Sequence, residues 1–361
     1  METDTPAATV DALVGVCIDA TAPALMFSGQ GSQSPGMGSD LLGDPLAAEI
    51  FACASDMFHR DIAALVTEGP SEALHDTRAA QAAIACLSLS LYRLLREGGL
   101  SASAVLGFSL GQVSALYAAE MLTMEETFAF LAKRAELMAD AAQETPGAMC
   151  ALLGADEVAA QGLCDHAAHG DVLVIANYNC PGQIVVSGTL PAIERAEAAW
   201  TAAGKRCSRL ATAGAFHSPL MGPAAMRLAA YLSQVGFRDP KMPLICNTDA
   251  RPLDAQSAAQ RLCAHLTSPV RFEQSVTSLC RAGARHFVEV GFGGVLVALV
   301  KRIDKASIRN RVEGRESLDA YLAAYRSQRS PATPTHPLAA PVPFAAPAAC
   351  SEGDVQERKP L

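Results

Sequence analysis

The chain has 361 residues, half of them hydrophobic and 18% charged, with a formal net charge of −9. This length and apolar content predict a sizeable buried core, divided into one larger and one smaller domain. The negative charge and the lack of a long basic run argue against nucleic acid as a partner. The acidic start is unlike a signal peptide, and eleven scattered cysteines indicate reduced thiols, so we expect a cytoplasmic protein that is not bound to a membrane.

The first part of the chain alternates short apolar strands with amphipathic helices, after a weakly patterned lead-in over residues 1–22. Its most apolar stretch, residues 79–95, contains Gln, Ser and Arg side chains and therefore predicts a buried helix rather than a membrane span. The alternation predicts an α/β core with mostly parallel strands over residues 23–146. The predicted elements are strands over 24–27 and 104–106 and helices over 112–120 and 124–142.

The order of elements over residues 147–212 is different: strand, helix, two strands, helix and strand. This β-α-β-β-α-β order predicts a ferredoxin-like small domain that is inserted into the larger one. Its predicted strands cover 148–153, 172–177, 183–187 and 207–211, and its predicted helices cover 155–168 and 191–203.

The larger domain resumes over residues 213–328, which gives the whole chain the predicted class of an α/β fold with a hydrolase-like core. From residue 329 the sequence is rich in Pro and Ala and lacks apolar periodicity, so we expect a disordered tail over 329–361. The predicted elements of the resumed part are helices over 219–234, 295–302 and 317–325, strands over 243–246 and 286–290, and two further helices between these strands.

Residues 107–111, with the sequence Gly-Phe-Ser-Leu-Gly, lie between the second predicted strand and a predicted helix. A G-x-S-x-G segment in this position is typical of a nucleophile elbow, because its glycines allow the sharp turn that exposes the serine hydroxyl. The N–H groups at the start of the helix can stabilise an oxyanion that forms beside it. Ser109 is therefore the candidate nucleophile, with an ordinary Gly/Ser loop as the alternative.

A nucleophilic serine needs a general base, and His217 is the candidate. It follows the small domain and precedes a predicted helix, where a cleft between two domains would close. Its position alone leaves open that His217 is a packed core histidine, and His286 is the late histidine that an α/β-hydrolase would use. Cys164, His166 and His169 cluster in sequence, but their spacing does not put all three on one helix face, so we expect no metal site.

Six motifs occur in order between residues 23 and 303. They are residues 27–33 (Phe-Ser-Gly-Gln-Gly-Ser-Gln), 107–111, Arg134 with Met138, 176–183 (Ala-Asn-Tyr-Asn-Cys-Pro-Gly-Gln), 215–221 (Ala-Phe-His-Ser-Pro-Leu-Met) and 289–291 (Glu-Val-Gly). In these motifs the chain resembles the malonyl-CoA:acyl carrier protein transacylases and the acyltransferase domains of polyketide synthases. It departs from the usual residues of that family at Phe108, Gln112, Phe292 and Gly294, and none of these changes removes a reacting group.

The resemblance implies a Ser–His dyad and an acyl-serine intermediate. Ser109 would attack the thioester carbonyl, and His217 would accept its proton. A backbone carbonyl around His265, rather than a carboxylate, would orient the ring of His217. The N–H groups of Gln30 and Leu110 would form the oxyanion hole.

The resemblance also implies how the acyl group is selected. Arg134 matches the arginine that holds the free carboxylate of malonyl, and a planar guanidinium can pair with both oxygens of a carboxylate. Composition alone favours an exposed helix arginine beside Lys133. Phe216 matches a bulky residue of malonyl-preferring members, and Gln81 matches a glutamine near the acyl pocket.

We therefore expect a monomeric enzyme without cofactor or metal that transfers malonyl from malonyl-CoA to the phosphopantetheine thiol of acyl carrier protein, for fatty acid synthesis. A trans-acting acyltransferase of a polyketide pathway is the alternative, and an α/β-hydrolase thioesterase comes after it. The presence of Ser109, His217 and Arg134 together argues against a non-catalytic subunit that only binds the carrier. Candidate basic residues for docking the acidic carrier are Lys205, Arg206, Arg209, Lys301 and Arg302.

Dinucleotide binding is the remaining alternative, suggested by the Gly-x-Gly of residues 29–31 after a strand. The fingerprint needs a third glycine and then a helix. Ser34 stands at the position of that glycine, and Pro35 and Gly36 follow where the helix should run. We therefore reject a dinucleotide site.

Overall fold

The structure, a computed structural model, describes residues 18–329 together with Leu13 and Val16. Residues 330–361 of the predicted tail and most of the predicted lead-in lie outside the described residues. The strands are β1 (Ala24–Phe27), β2 (Ala104–Gly107), β3 (Gly147–Ala155), β4 (Leu173–Cys180), β5 (Gly182–Thr189), β6 (Arg206–Arg209), β7 (Leu244–Ile245), β8 (Val270–Arg271), β9 (His286–Val290) and β10 (Ile308–Val312). The α-helices are α1 (Pro45–Phe58), α2 (Ile62–Glu68), α3 (Thr77–Glu97), α4 (Gly111–Ala118), α5 (Met124–Glu144), α6 (Glu157–Ala167), α7 (Leu190–Ala202), α8 (Gly222–Leu232), α9 (Ala255–Ala264), α10 (Phe272–Arg281), α11 (Val295–Ile303) and α12 (Arg315–Arg329).

Five parallel strands form the larger sheet, in the order β10-β9-β1-β2-β7. Every residue of β1 and β2 is buried, as expected for strands that are covered on both faces. Phe27 pairs with Gly107 on one side and with Val290 on the other, so β1, β2 and β9 end at the same edge. The loops after these strands meet there, where ligands bind in open α/β sheets. The α/β class with a parallel sheet, predicted from the sequence, is confirmed.

Two long helices pack together beside this sheet and carry residues of the site. The side chain of Asp76 caps α3 by accepting the N–H of Ala79, and Thr123 caps α5 within a capping box that includes Glu126. α3 is buried along almost its whole length, as predicted for the apolar stretch. Among the described residues, no helix combines the length and the apolar character needed to cross a membrane.

The second sheet has the strand order β6-β3-β5-β4-β8. β3 pairs antiparallel with β5 and β6, β4 pairs antiparallel with β5, and β8 runs parallel to β4. α6 and α7 pack on this sheet around a separate core that includes Trp200, whose indole N–H donates to the carbonyl of Arg206 over 3.1 Å. Since β8 comes from residues 270–271, one strand of this sheet is contributed by the later part of the chain.

The sequence does not predict two of the strands, β8 and β10. Within β10 only Val312 is buried, so this polar edge strand lacks the apolar run that marks its neighbours, and β8 has only two residues. The helix predicted over 219–234 begins as a 3-10 turn at Pro219–Met221 and continues as α8. The turn predicted over 179–182 is tighter, because β4 continues to Cys180 and β5 starts at Gly182.

Candidate active site

Ser109 lies in the sharp turn between β2 and α4, with a backbone φ of +50°. Non-glycine residues rarely adopt this left-handed conformation, which is strained. A Cβ at Gly107 would overlap the backbone of Gly111, and a Cβ at Gly111 would overlap the carbonyl of Phe27. The two glycines therefore let α4 fold back against the ends of β1 and β2, and this presents the serine hydroxyl at the sheet edge.

His217 lies beside this hydroxyl, with its Nε2 2.7 Å from the Oγ of Ser109. The Nδ1 of the same ring lies 2.8 Å from the carbonyl oxygen of His265, at the C-terminal end of α9. Because a carbonyl can only accept, Nδ1 carries the proton of the neutral ring, and Nε2 is left to accept the proton of the hydroxyl. No carboxylate of the described residues hydrogen-bonds to this ring, so the carbonyl sets its orientation.

Arg134 reaches the same hydroxyl from helix α5. Only 2% of its surface is exposed, its Nη1 donates to Oε1 of Gln81 over 2.8 Å, and its Nη2 lies 3.4 Å from the Oγ of Ser109. The neighbouring Lys133 instead pairs with Glu136 near the surface. Arg134 makes no ion pair within the described part of the chain. The structure thus buries this cation beside the hydroxyl rather than exposing it on a helix face.

Burial dominates the electrostatics of these groups. Desolvation lowers the pKa of Arg134 to about 10. The pKa of His217 is lowered to about 4, first by burial and then by the positive charge of Arg134, against the opposing effect of the hydrogen bond to the carbonyl of His265. The ring centre of His265 lies 5.0 Å from that of His217, and burial holds the pKa of His265 well below its usual value. Both imidazoles are therefore neutral near pH 7, and His217 is able to accept a proton.

A cavity of about 250 Å³ opens at the hydroxyl, between the larger sheet and the second sheet. Phe216 and Met138 form part of its apolar wall. The second sheet adds the amide side chains of Asn177, Asn179 and Gln183. A small chamber of this kind, with a few placed polar groups and one buried cation, suits a short acyl group that carries a negative charge.

The predicted oxyanion donors, Gln30 and Leu110, both line this cavity. Gln30 lies in the Gly-rich loop after β1, and Leu110 directly precedes α4. Neither backbone N–H is donated to an acceptor among the described residues, so each is available to an oxygen that becomes negatively charged. The structure brings the eight predicted site residues together: Gln30, Gln81, Ser109, Leu110, Arg134, Phe216, His217 and His265.

Asn247 belongs to this site and was not among the residues that the sequence indicated. Its Oδ1 accepts the N–H of Ser109 over 2.8 Å, and its Nδ2 donates to the carbonyl of Gly107 over 2.8 Å. The available signal was a polar residue just after an apolar strand, since residues that follow neighbouring parallel strands meet at one edge. That signal is weak because β7 has only two residues.

Other candidate residues lie away from this site. The rings of His166 and His169 are 6.2 Å apart, and within the described ranges no group of three or more His, Cys, Asp or Glu is arranged to hold a metal ion. His286 begins β9, at the edge opposite to the one where the nucleophile turn lies, and its Nε2 is 2.7 Å from Oδ1 of Asn310. His286 is therefore in no position to act on Ser109.

Three of the basic residues considered for carrier docking make local contacts. Arg209 pairs with Glu197 over 2.6 Å, and the ammonium of Lys205 lies 4.0 Å from the ring centre of Trp200. Arg302 donates to a backbone carbonyl over 2.8 Å. A docking role for the basic residues stays a prediction.

A protein-family model described as an acyl transferase domain matches residues 25–316 of the chain. The malonyl CoA-acyl carrier protein transacylase of Escherichia coli (strain K12) is 38% identical over 284 residues, which cover 78% of this chain and 92% of that protein. The range matched by the family model includes every residue of the site described above.

Solved structures share the fold. The crystal structure of MCAT from Streptococcus pneumoniae matches with a TM-score of 0.79 and 38% sequence identity, over 84% of this chain and 99% of that chain. A malonyl-transacylase solved in complex with its type II PKS acyl-carrier protein matches with a TM-score of 0.81 and 35% identity, again over 84% of this chain and 99% of that chain.

Proposed function

The chain belongs to the acyl transferase domain family, and on that basis we propose that it transfers a malonyl group from malonyl-CoA to the phosphopantetheine thiol of an acyl carrier protein. The relatives described above are malonyl-transacylases, and one of them is bound to an acyl-carrier protein. The cavity of about 250 Å³, with a serine, a neutral imidazole and a buried cation, has the size and charge for a malonyl group.

The buried guanidinium of Arg134 is the observation that carries this proposal. A charge that is removed from water is costly unless it is paired. Within the described residues, the guanidinium of Arg134 hydrogen-bonds only to the amide oxygen of Gln81 and the hydroxyl of Ser109, both of them uncharged. The free carboxylate of malonyl supplies the missing anion in a charge-assisted pair, whereas an acetyl group leaves the cation unpaired.

In the first half-reaction, Ser109 acts as the nucleophile and His217 as the general base. As Oγ forms a bond to the thioester carbonyl carbon, the hydroxyl proton passes to Nε2 of His217 and the carbonyl oxygen becomes an oxyanion. The N–H groups of Gln30 and Leu110 stabilise that oxyanion. The C–S bond then breaks, the proton on Nε2 passes to the sulfur of CoA, and a malonyl ester remains on Ser109.

In the second half-reaction, the carrier thiol takes the place of CoA. Neutral His217 accepts the thiol proton, the sulfur attacks the ester carbonyl, and the oxygen of Ser109 leaves with the proton from Nε2. The carbonyl of His265 accepts the Nδ1–H in both halves and stabilises the imidazolium, so the base needs no carboxylate partner.

Phe216 and Gln81 have supporting roles in this proposal. Phe216 lines the cavity and would crowd an acyl group that is branched next to the carbonyl. Gln81 holds one nitrogen of Arg134 and thereby fixes the plane of the guanidinium that receives the carboxylate.

We also propose the organisation predicted from the sequence: a hydrolase-like core over 23–146 and 213–328, and a ferredoxin-like small domain over 147–212. The β-α-β-β-α-β order of elements and the placement of β5 between β3 and β4 support the small domain. The strand–elbow–helix at Ser109 supports the core. The nine described cysteines are free thiols, which supports a cytoplasmic location.

Fatty acid synthesis is the pathway that we propose for the transferred malonyl group. A polyketide pathway is the second candidate, because one solved relative is bound to a type II PKS acyl-carrier protein. Transfer rates to a fatty acid carrier and to a polyketide carrier, measured side by side, decide between the two.

Intact mass spectrometry after incubation with malonyl-CoA tests the proposed reaction. The wild-type protein should gain the mass of one malonyl group, and Ser109→Ala should gain none. Parallel incubations with acetyl-CoA and methylmalonyl-CoA measure selectivity. An adduct that survives in Ser109→Ala would overturn the assignment of the nucleophile, and the absence of any adduct in the wild type would overturn the reaction.

A further inference from the structure

Asn247 is fully buried, two residues after the end of β7, and each of its polar atoms takes part in a hydrogen bond. Its side chain bonds to the N–H of Ser109 and to the carbonyl of Gly107, both over 2.8 Å. Its own N–H donates to Oε1 of Gln112 over 2.8 Å, and its carbonyl accepts the N–H of Arg271 over 2.8 Å. One residue thus joins the nucleophile turn, helix α4 and strand β8.

We propose that Asn247 is a positioning residue that holds Ser109 in its reactive left-handed conformation, an inference that rests on the proposed role of Ser109 as nucleophile. The side chain spans the turn, because it bonds to the residue before Phe108 and to the residue after it. The turn presents a carbonyl and an N–H side by side. Asparagine offers the matching donor and acceptor at this length, whereas aspartate offers acceptors only and leucine offers neither.

The need for such a residue follows from the strain in the turn. Ser109 has a φ of +50°, which a residue with a side chain adopts only when its surroundings stabilise it. Without Asn247, the buried N–H of Ser109 and the carbonyl of Gly107 would lose their partners. The turn would then relax and carry Oγ away from its position 2.7 Å from Nε2 of His217.

The backbone of Asn247 adds a connection to the opposite wall of the cavity. Arg271, which donates to its carbonyl, belongs to β8, and β8 pairs with β4 so that Val270 lies opposite Asn177. Asn177 lines the cavity from the second sheet. The residue that fixes the nucleophile therefore also fixes its distance from the wall that faces it.

Asn247→Leu tests the proposal, because it keeps the branched shape of the side chain and removes both of its polar atoms. The rate of malonyl–Ser109 formation in a single turnover should fall about a hundredfold, the usual loss when reacting groups are slightly misplaced. The KM for malonyl-CoA should stay within about threefold of the wild type, because Asn247 does not line the cavity and the variant removes no binding contact. Asn310→Leu, on the exposed edge strand β10, is the matched control and should leave both quantities unchanged.

Folding is monitored by circular dichroism and by thermal unfolding of the same samples. A folded Asn247→Leu that acylates at the wild-type rate would overturn the proposal, as would a loss that only follows the folded fraction. If Asn247→Leu does not fold, Asn247→Asp takes its place, since aspartate keeps an acceptor for the N–H of Ser109 but cannot donate to the carbonyl of Gly107. A fall of about tenfold is then expected, and a wild-type rate would overturn the proposal.

A fluorophosphonate probe that labels reactive serines separates this inference from the proposed function. If the wild type takes up the probe at Ser109 but forms no malonyl ester, the proposed reaction fails. The labelling rate in Asn247→Leu then still tests the positioning role. A rate equal to that of the wild type would refute it, and a rate about a hundredfold lower would support it.

Discussion

Arg134 and His217 approach the same oxygen atom, the Oγ of Ser109, at 3.4 Å and 2.7 Å. The positive charge of Arg134 is one of the causes that hold the pKa of His217 near 4. A substrate carboxylate that pairs with Arg134 neutralises this charge and makes His217 a stronger base. Binding of the correct acyl group therefore also prepares the proton transfer that activates the serine.

Arg134→Ala should lower the rate of malonyl transfer steeply and leave acetyl transfer unchanged or improved. Loss of a buried charge-assisted pair should cost malonyl transfer about 2–5 kcal/mol, while acetyl has no carboxylate to lose. Acyl-enzyme formation from the two CoA thioesters measures both effects. Lys133→Ala, one residue away in the surface ion pair with Glu136, is the control and should change neither rate. Equal losses for malonyl and acetyl would show that Arg134 has only a structural role.

His217→Ala should reduce the transfer rate by about a hundredfold or more, the usual effect of removing a positioned base. His286→Ala, which removes the late histidine on β9, should have no effect on the rate. Steady-state transfer to an acyl carrier protein gives the comparison. If substitution of an Asp or Glu caused an equally large loss of rate while the fold stayed intact, a Ser–His–acid triad would describe the site better than a Ser–His dyad.

The pH dependence of acyl-enzyme formation should depend on Arg134. For the wild type, the acid limb of the rate with acetyl-CoA should lie near pH 4, where His217 becomes protonated. Removal of the neighbouring positive charge in Arg134→Ala favours the imidazolium and raises the pKa of His217. The acid limb of the variant should therefore move to higher pH. If the rate falls at the same pH in both proteins, the charge of Arg134 does not affect the pKa of His217.

The low pKa of His217 also affects stability. The folded-state pKa, about 4, lies below the usual 6.5, so the folded protein binds this proton less well than the unfolded chain does. The contribution of His217 to the free energy of unfolding is therefore fully present above about pH 6.5. It falls by about 3 kcal/mol in all as the pH drops from 6.5 towards 4. Urea unfolding at several pH values should show a shallower loss in His217→Gln. Parallel curves for the two proteins would refute this.

Gly111→Ala should destabilise the fold by about 2–4 kcal/mol, since the new methyl group would overlap the backbone of Phe27. Gly162→Ala is the matched control in helix α6, where a Cβ meets no atom within 4 Å. That change should stabilise the protein by about 0.5–1 kcal/mol, because alanine is the better helix former. Urea unfolding of both variants provides the comparison, and an equal effect of the two substitutions would show that the close approach at Gly111 does not matter.

Much of the fold could be predicted because its signals are local. The apolar strands before Ser109 and before Gly291, and the periodic helices between them, need only a few neighbouring residues to be recognised. β10 could not be predicted, because its Arg-Asn-Arg segment gains its partners from β9, a pairing that the sequence does not display. The burial of Arg134 depends in the same way on Gln81, 53 positions earlier in the chain.

The site was predicted where a motif contained the reacting group. Ser109 and His217 each lie in a short recognisable segment. Asn247 acts on Ser109 from 138 positions away and follows a strand of only two residues, so no nearby pattern marks it.

The pairing of β8 with β4 has a consequence for how this enzyme can change its substrate range. In the described part of the chain, the hydrogen bonds between β8 and β4 join the second sheet to a strand from outside residues 147–212, beside the cavity at Ser109. Loss of this pairing would let the two walls move apart, but it would also disturb the backbone that holds the nucleophile. A variant that accepts bulkier acyl groups should therefore arise through smaller side chains at Phe216 or Met138. Adaptation to new substrates would therefore proceed by side-chain changes that enlarge the cavity, while the backbone around the cavity stays unchanged.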